Sequence, residues 1–302
     1  MDMILTILEI IITVLLFSSG LFFLISLLYR IKVKLRQCPD LLRDQDHFTV
    51  QTQDQLTIDG ISLTSDVQSG PAIILAHGFA DNKTNCEIVR LAEYLRRDFN
   101  VFLFDFRGYG DSQGKSTMGY KEILDLEAVI SYVTESGYKS VHLIGNSIGG
   151  LVSIRAAANH DTILSVTTIS TSANFFDRDP YRRKIFEFVF QNPLGRFLLK
   201  AATSISISKE ISSINAADLL SMAPVSLLKE ISPTPILFVH GTRDKIVPVS
   251  NVYKLFDSAL EPKQIRVFEG GGHSVTDLGK EFGDTFRSFL LDWLKSNSKA
   301  NL

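Results

Sequence analysis

From residue 72 onward the sequence keeps one rhythm, and that rhythm constrains the fold more than any other feature. Short apolar runs recur as "AIILAHG" (72–78), "VFLFDFRG" (101–108), "SVHLIG" (140–145), "ILSVTTIS" (163–170), "PILFVHG" (235–241) and "IRVFEG" (265–270). Helical patterns lie between and after them, at 84–97, about 120–135, from the glycines that follow residue 145, and at about 278–295. Continuous apolar strands alternating with helices predict an α/β fold, a mostly parallel central sheet with helices on both faces. Ahead of them "FTVQTQDQLTIDGISLTSDV" (48–67) alternates around an Asp59-Gly60 turn signal and predicts antiparallel strands at the start of the domain. One interval breaks the rhythm. Some sixty residues separate strand 163–170 from strand 235–241, far more than an ordinary connection, and they include the helical "YRRKIFEFVFQ" and "AADLLSMAPVSLLKEIS". A helical cap over about 172–232 is expected there, inside an α/β domain that runs from 37 to 302.

The N-terminus obeys different rules. Residues 10–29, "IIITVLLFSSGLFFLISLLY", carry no charge. As a helix, twenty such residues span about 30 Å, enough to cross a hydrocarbon core. A cleaved leader fits poorly, because Asp2 and Glu9 precede the run without any Lys or Arg and no A-x-A site follows. Residues 1–36 are therefore expected to be a single-pass transmembrane anchor with its basic flank. Arg30, Lys32, Lys34 and Arg36 follow the run with no acid among them, which predicts a membrane protein whose following domain is cytoplasmic. Two cysteines, Cys38 and Cys86, make no disulfide framework; they read as unpaired thiols that agree with a reducing compartment. Cys38 lies where a juxtamembrane thiol can be palmitoylated, although an unmodified cysteine is the simpler reading.

Ligands of parallel sheets bind beyond the carboxyl ends of the strands, so the chemistry is sought there. In "HLIGNSIGGLV" a strand breaks into Gly145-Asn146-Ser147-Ile148-Gly149 and a helix opens behind it. The strand-turn-helix context makes this G-x-S-x-G a nucleophile turn: the backbone is strained to expose the serine hydroxyl, and the glycines let strand and helix approach. A neutral hydroxyl needs a base. Of the six histidines, His273 closes "FEGGGHS" just past the last strand and is the candidate. His77 and His240 each end a strand before glycine, His142 lies inside one, and His47 and His160 have no supporting context. Asp244, in "HGTRDKIVP", lies just past the fifth of these strands and is the candidate to orient His273; Asp257 and Asp277 fall in or beside helices and fit less well. The amides of Ile148 and Phe79 are the candidate oxyanion donors, with Gly78 allowing close backbone approach and His77 shaping the loop.

With "HGFAD", "DFRGYGDSQG", "GNSIGG", "HGTRDKIVP" and "GGGH" in this order, residues from about 48 to 295 resemble the α/β-hydrolase superfamily. They are most similar to its monoacylglycerol lipase and serine aminopeptidase-like branch. The resemblance implies that 105–114 shapes a sheet edge, which makes Ser112 a loop residue. Asn146 departs from the histidine or glutamine that many relatives carry beside the nucleophile.

These readings converge on a membrane-anchored serine hydrolase that cleaves carboxylic esters or thioesters with an apolar acyl group, as a lipid esterase or lipase does. Its Ser147–His273–Asp244 acyl-enzyme requires no cofactor. A transferase that uses the same acyl-enzyme and a non-catalytic binding protein of the same fold stay open. Peptidase activity is weaker, since no acidic site for a substrate amino group stands out. Phe186, Val189 and Phe190 share one face of the cap and read mainly as packing residues. A net charge of −2 gives no reason to expect nucleic acid, and neither HExxH nor a Cys/His cluster suggests a metal. The expected partners are a small-molecule or lipid acyl substrate and the membrane.

Overall fold

The computed structural model describes residues 36–42, 45–65, 70–174, 184, 187–203, 205–214 and 222–298. The apolar run 10–29 and Phe186 lie outside these residues. Among the described residues, no helix is long and apolar enough to cross a membrane.

Among the described residues, eight strands form one sheet. In chain order they are β1 (Asp46–Gln51), β2 (Thr57–Leu63), β3 (Ala72–Ala76), β4 (Asn100–Phe104), β5 (Val141–Asn146), β6 (Ile163–Ile169), β7 (Ile236–Gly241) and β8 (Lys263–Phe268). The spatial order is β1-β2-β4-β3-β5-β6-β7-β8. β1 with β2 and β2 with β4 are antiparallel, and every other pair is parallel. All six apolar runs read from the sequence are strands of the parallel part.

Both faces of that part are covered, which is why its strands read as unbroken apolar runs. Side chains alternate across the sheet with period two. In β3, Ala72, Ile74 and Ala76 join one core while Ile73 and Leu75 join the other; in β4, Phe102 and Phe104 face the first and Val101 and Leu103 the second. The helices are α1 (Cys86–Leu95), α2 (Glu122–Glu135), α3 (Ile148–Ala157), α4 (Pro193–Thr203), α5 (Pro224–Leu227), α6 (Ser250–Ser258) and α7 (Ser274–Ser298). α2, α3 and α6 fill the first core through Leu126, Val152 and Leu255, whereas α1 and α7 fill the second through Leu91, Phe286 and Leu290. Each fully buried side chain of this size contributes about 1.5–3 kcal/mol. α1 begins sharply because the Asn85 side chain accepts from the Glu87 amide at 2.9 Å, a cap that satisfies an otherwise unpaired N–H. The described cap consists of a π-helical turn at Glu187–Gln191, α4, a 3-10 turn at Lys209–Ser212, and α5. It is tied to the sheet domain by an isolated bridge between Ser116 and Ile207.

One sequence expectation is overturned. Cys38 and Cys86 are not free thiols but a disulfide, with Cα atoms 4.9 Å apart. The cause is backbone pairing that their separation of 48 residues conceals. Gln37 and Asn85 form an antiparallel bridge. The Cys38 amide donates to Thr84 O at 2.8 Å and the Cys86 amide to Arg36 O at 2.7 Å. That pairing holds the two cysteines within the distance a disulfide requires. The two cysteines therefore give no support to a reducing compartment.

Candidate active site

β5 delivers Asn146 to the carboxyl edge of the sheet, and α3 departs from it one residue later. Ser147 makes the turn with φ 53° and ψ −110°, a left-handed backbone that costs a non-glycine residue about 1–3 kcal/mol. The surrounding packing enforces it, and two glycines make that packing possible. A Cβ on Gly145 would lie 2.4 Å from Gly150 Cα, and one on Gly149 would lie 2.2 Å from Ala76 O. Both clashes are with backbone, so neither can be relieved by a side-chain rotation. Gly149→Ala is accordingly expected to destabilise the protein by about 1–3 kcal/mol and to lower turnover by shifting Ser147. A urea titration with ester kinetics on the same preparation checks this; unchanged values of both would mean that the turn yields.

Beyond β3, His77 shapes the facing loop. Its Nε2 accepts from the Phe106 amide at 2.9 Å, which leaves Nδ1–H to donate to Gly78 O at 2.7 Å. Burial lowers its pKa, chiefly by desolvation, and holds the ring neutral. That ring fixes the turn from which Gly78 and Phe79 reach the pocket. Among the described residues, neither the Phe79 amide nor the Ile148 amide donates to a protein partner. Ile148 begins the ten-residue α3, so its N–H also lies at the positive end of a helix dipole.

β7 and β8 bring the remaining groups. Asp244 Oδ1 accepts from the amides of Ile246 and Val247, both at 2.8 Å. Asp244 Oδ2 accepts from His273 Nδ1 at 2.7 Å, where the aspartate side chain is fully buried and the histidine is 14% exposed. His240 Nε2 stands 3.2 Å from the same oxygen and also donates to Val247 O at 2.9 Å. Burial alone raises the pKa of Asp244, but the hydrogen bonds from His240, His273 and the backbone outweigh it and hold the carboxylate well below its ordinary value.

Ser147, His273, Gly78 and Phe79 line one cavity of about 400 Å³. No hydrogen bond joins Ser147 Oγ to His273 among the described residues; catalytic bonds of this kind are often long before substrate binds and tighten with it. The residues picked out from the strand ends are thus brought to one edge of the sheet, and Asp257 is not among them. Asp277 does have a part, since its Oδ2 accepts from the His273 amide at 2.9 Å. Asn146 has one too. Its Oδ1 accepts from the Val275 amide at 3.1 Å and ties the histidine loop to the serine turn. Ser112 Oγ donates to Asp105 O at 2.6 Å within its loop. His142 is held inside the sheet by Ser165 at 2.8 Å and Ser298 at 2.9 Å, with its pKa lowered to about 4 by burial. From the cap, Phe190 packs on Phe79 with ring centroids 5.4 Å apart.

Sequence reading missed His240 as a support of Asp244, because an "HG" pair at a strand end gives no sign of a neighbour four residues on. It also missed the other wall of the cavity. Arg36, Gln37, Asp81 and Asn85 line it, and burial raises the Asp81 pKa to about 7.

The family described as alpha/beta hydrolase fold matches residues 71–213. The chain is 27% identical over 253 residues to the membrane protein YNL320W of Saccharomyces cerevisiae, covering 82% of this chain and 80% of that one. It is 25% identical over 284 residues to the polyketide transferase ATR5 of Stachybotrys chlorohalonatus, covering 81% and 95%. Among solved structures, the Pyrococcus furiosus esterase Pf2001 superposes with a TM-score of 0.67 at 23% identity, covering 85% of this chain and 94% of that one.

Proposed function

We propose that this chain, which has the α/β-hydrolase fold, is a membrane-anchored serine hydrolase that cleaves carboxylic esters or thioesters with an apolar acyl group. One observation carries the reading: a hydrogen bond of 2.7 Å between His273 and the buried Asp244 carboxylate stands at the cavity that the strained Ser147 lines. The fold shared with the esterase Pf2001 agrees with it.

Ser147 Oγ attacks the carbonyl carbon while His273 Nε2 takes the hydroxyl proton. Asp244 keeps the Nδ1 proton in place and stabilises the imidazolium. The Phe79 and Ile148 amides receive the oxyanion, where loss of one donor costs about 3–4 kcal/mol. Collapse of the tetrahedral intermediate passes the proton from His273 to the departing alcohol or thiol. Water then enters, gives its proton to His273, and releases the acid and Ser147 by the same route. None of these steps uses a cofactor.

The likeness to the polyketide transferase ATR5 supports a second reading, in which an alcohol or amine replaces water in the last step. The monoacylglycerol lipase-like segments and the location favour lipid acyl substrates. The uncharged run 10–29 and the likeness to the membrane protein YNL320W support the anchor. For the side of the membrane, the basic flank favours the cytoplasm, whereas the Cys38–Cys86 bond favours an oxidising compartment. Thiol alkylation after reduction, in intact against opened cells, decides between them.

The test of the reaction pairs the full chain with Ser147→Ala on chromogenic esters from acetyl to palmitoyl. Turnover is expected to fall by about three orders of magnitude or more, and fluorophosphonate labelling is expected to disappear. Full labelling of the variant would remove Ser147 from the role. A folded wild-type chain with neither turnover nor labelling would leave a binding protein. Acyl transfer to added glycerol would establish the transferase.

A further inference from the structure

The chain that enters the domain from residues 1–35 does not join it at an arbitrary place. It arrives at Arg36 and Gln37, which line the same cavity as Ser147 and His273. It is fastened there twice, by the Gln37–Asn85 bridge, whose two hydrogen bonds run from Cys38 to Thr84 and from Cys86 to Arg36, and by the Cys38–Cys86 disulfide. Residues 36–38 therefore form a strap across one side of the mouth. Its partner residues 84–86 run from the end of the loop that also carries Phe79 into the first residue of α1.

Distance turns this attachment into an orientation. The uncharged run ends at Tyr29, seven residues before Arg36. Fully extended, that connection reaches at most about 25 Å. A domain of this length is about 45–50 Å across. Were the strap to peel away, several more residues would join the tether and the mouth could turn from the bilayer. With the strap fastened, the mouth stays on the near side. An apolar side chain at the mouth suits that position: Ile246 lines the cavity and is 67% exposed. The connecting sequence carries Arg30, Lys32, Lys34 and Arg36 with no acid among them, and such charge is attracted to anionic lipid headgroups.

Resting on the hydrolase reading, we propose that the Cys38–Cys86 disulfide clamps the strap so that the Ser147 pocket opens onto the lipid bilayer and takes its acyl substrate from there. Cys38 acts here as a positioning residue. Its loss is felt by substrates that reside in the membrane and not by soluble ones.

The test uses the full chain in vesicles of palmitoyl-oleoyl phosphatidylcholine. Two substrates are followed, dioleoylglycerol within the same vesicles and p-nitrophenyl butyrate in the surrounding water. Cys38→Ser is expected to lose about tenfold or more on the first, as the effective concentration of substrate at the mouth falls, and to keep the second. Equal loss on both, or on neither, overturns the clamp. A second measurement needs no turnover. Ile246→Trp with Trp293→Phe places a single indole at the mouth, and brominated phosphatidylcholine is expected to quench it with the strap fastened and far less in Cys38→Ser. An indole that stays unquenched beside the intact disulfide overturns the proposal. Failure of the hydrolase reading looks different, since wild-type chain would then hydrolyse neither ester while the quenching still reports where the mouth lies.

Discussion

Asp244→Asn is expected to lower kcat by about four orders of magnitude, the scale on which a misdirected histidine costs a Ser-His-Asp site. The geometry dictates why. The Ile246 and Val247 amides both donate to Oδ1 at 2.8 Å, so the asparagine carbonyl must take that position. Its NH₂ group then faces His273 Nδ1, where the aspartate accepted at 2.7 Å. Two donors cannot share one bond. His273 must move its proton to Nε2, and Nε2–H cannot remove the proton from Ser147. The same NH₂ group also meets His240 Nε2, 3.2 Å from Oδ2 and itself committed as a donor to Val247 O. The variant is therefore expected to lose stability as well as turnover. Burst kinetics with a p-nitrophenyl ester separate the two effects: a folded variant with a slow burst has the wrong tautomer, whereas a variant within tenfold of wild type would mean that Asp244 does not orient the base.

What could be read from the sequence follows from the range of the interactions involved. The parallel strands were legible because burial on both faces makes each one a continuous apolar run. The serine turn was legible because a close strand–helix approach demands glycine at fixed neighbours, as the contact of Gly149 with Ala76 O shows. That His273 and Asp244 lie together was legible by position, since a parallel sheet brings the ends of its strands to one edge. Cys38 and Cys86 were misread because their pairing depends on an isolated bridge between Gln37 and Asn85, which leaves no periodic trace. Asp277 was set aside as a helix-side acid, and its bond to the His273 amide exists only because α7 begins at that turn. Asn146 seemed merely unusual. Its contact with Val275 spans 129 residues, and nothing local announces it.

The largest expected stability effect lies in the loop between Phe79 and α1. Lys83 Nζ meets Asp59 Oδ1 at 2.8 Å, Asp105 Oδ2 at 2.5 Å and Asp111 Oδ2 at 2.7 Å. The lysine and Asp105 side chains are each only 1% exposed. Among the described residues, these three carboxylates are the group close enough to share a cation, and the ammonium occupies that place. Burial by itself lowers the lysine pKa, but the three carboxylates outweigh it and hold the group charged well above its ordinary range. A methionine keeps the stem and removes the ammonium, which leaves the buried Asp105 carboxyl group without its partner in the interior. Breaking a buried pair in this way costs about 3–5 kcal/mol, even where the intact pair is worth little net. Lys83→Met is thus expected to shift the urea midpoint by a large fraction of the total stability, and adding Asp105→Asn is expected to recover part of it because the stranded carboxyl group is gone. A loss under about 1 kcal/mol would mean that water reaches Asp105 and the lysine is dispensable. A large loss with no recovery would assign the effect to packing of the lysine stem. Because Lys83 lies between Phe79 and Thr84, a true charge effect should also slow ester turnover in the single variant and restore it in the double.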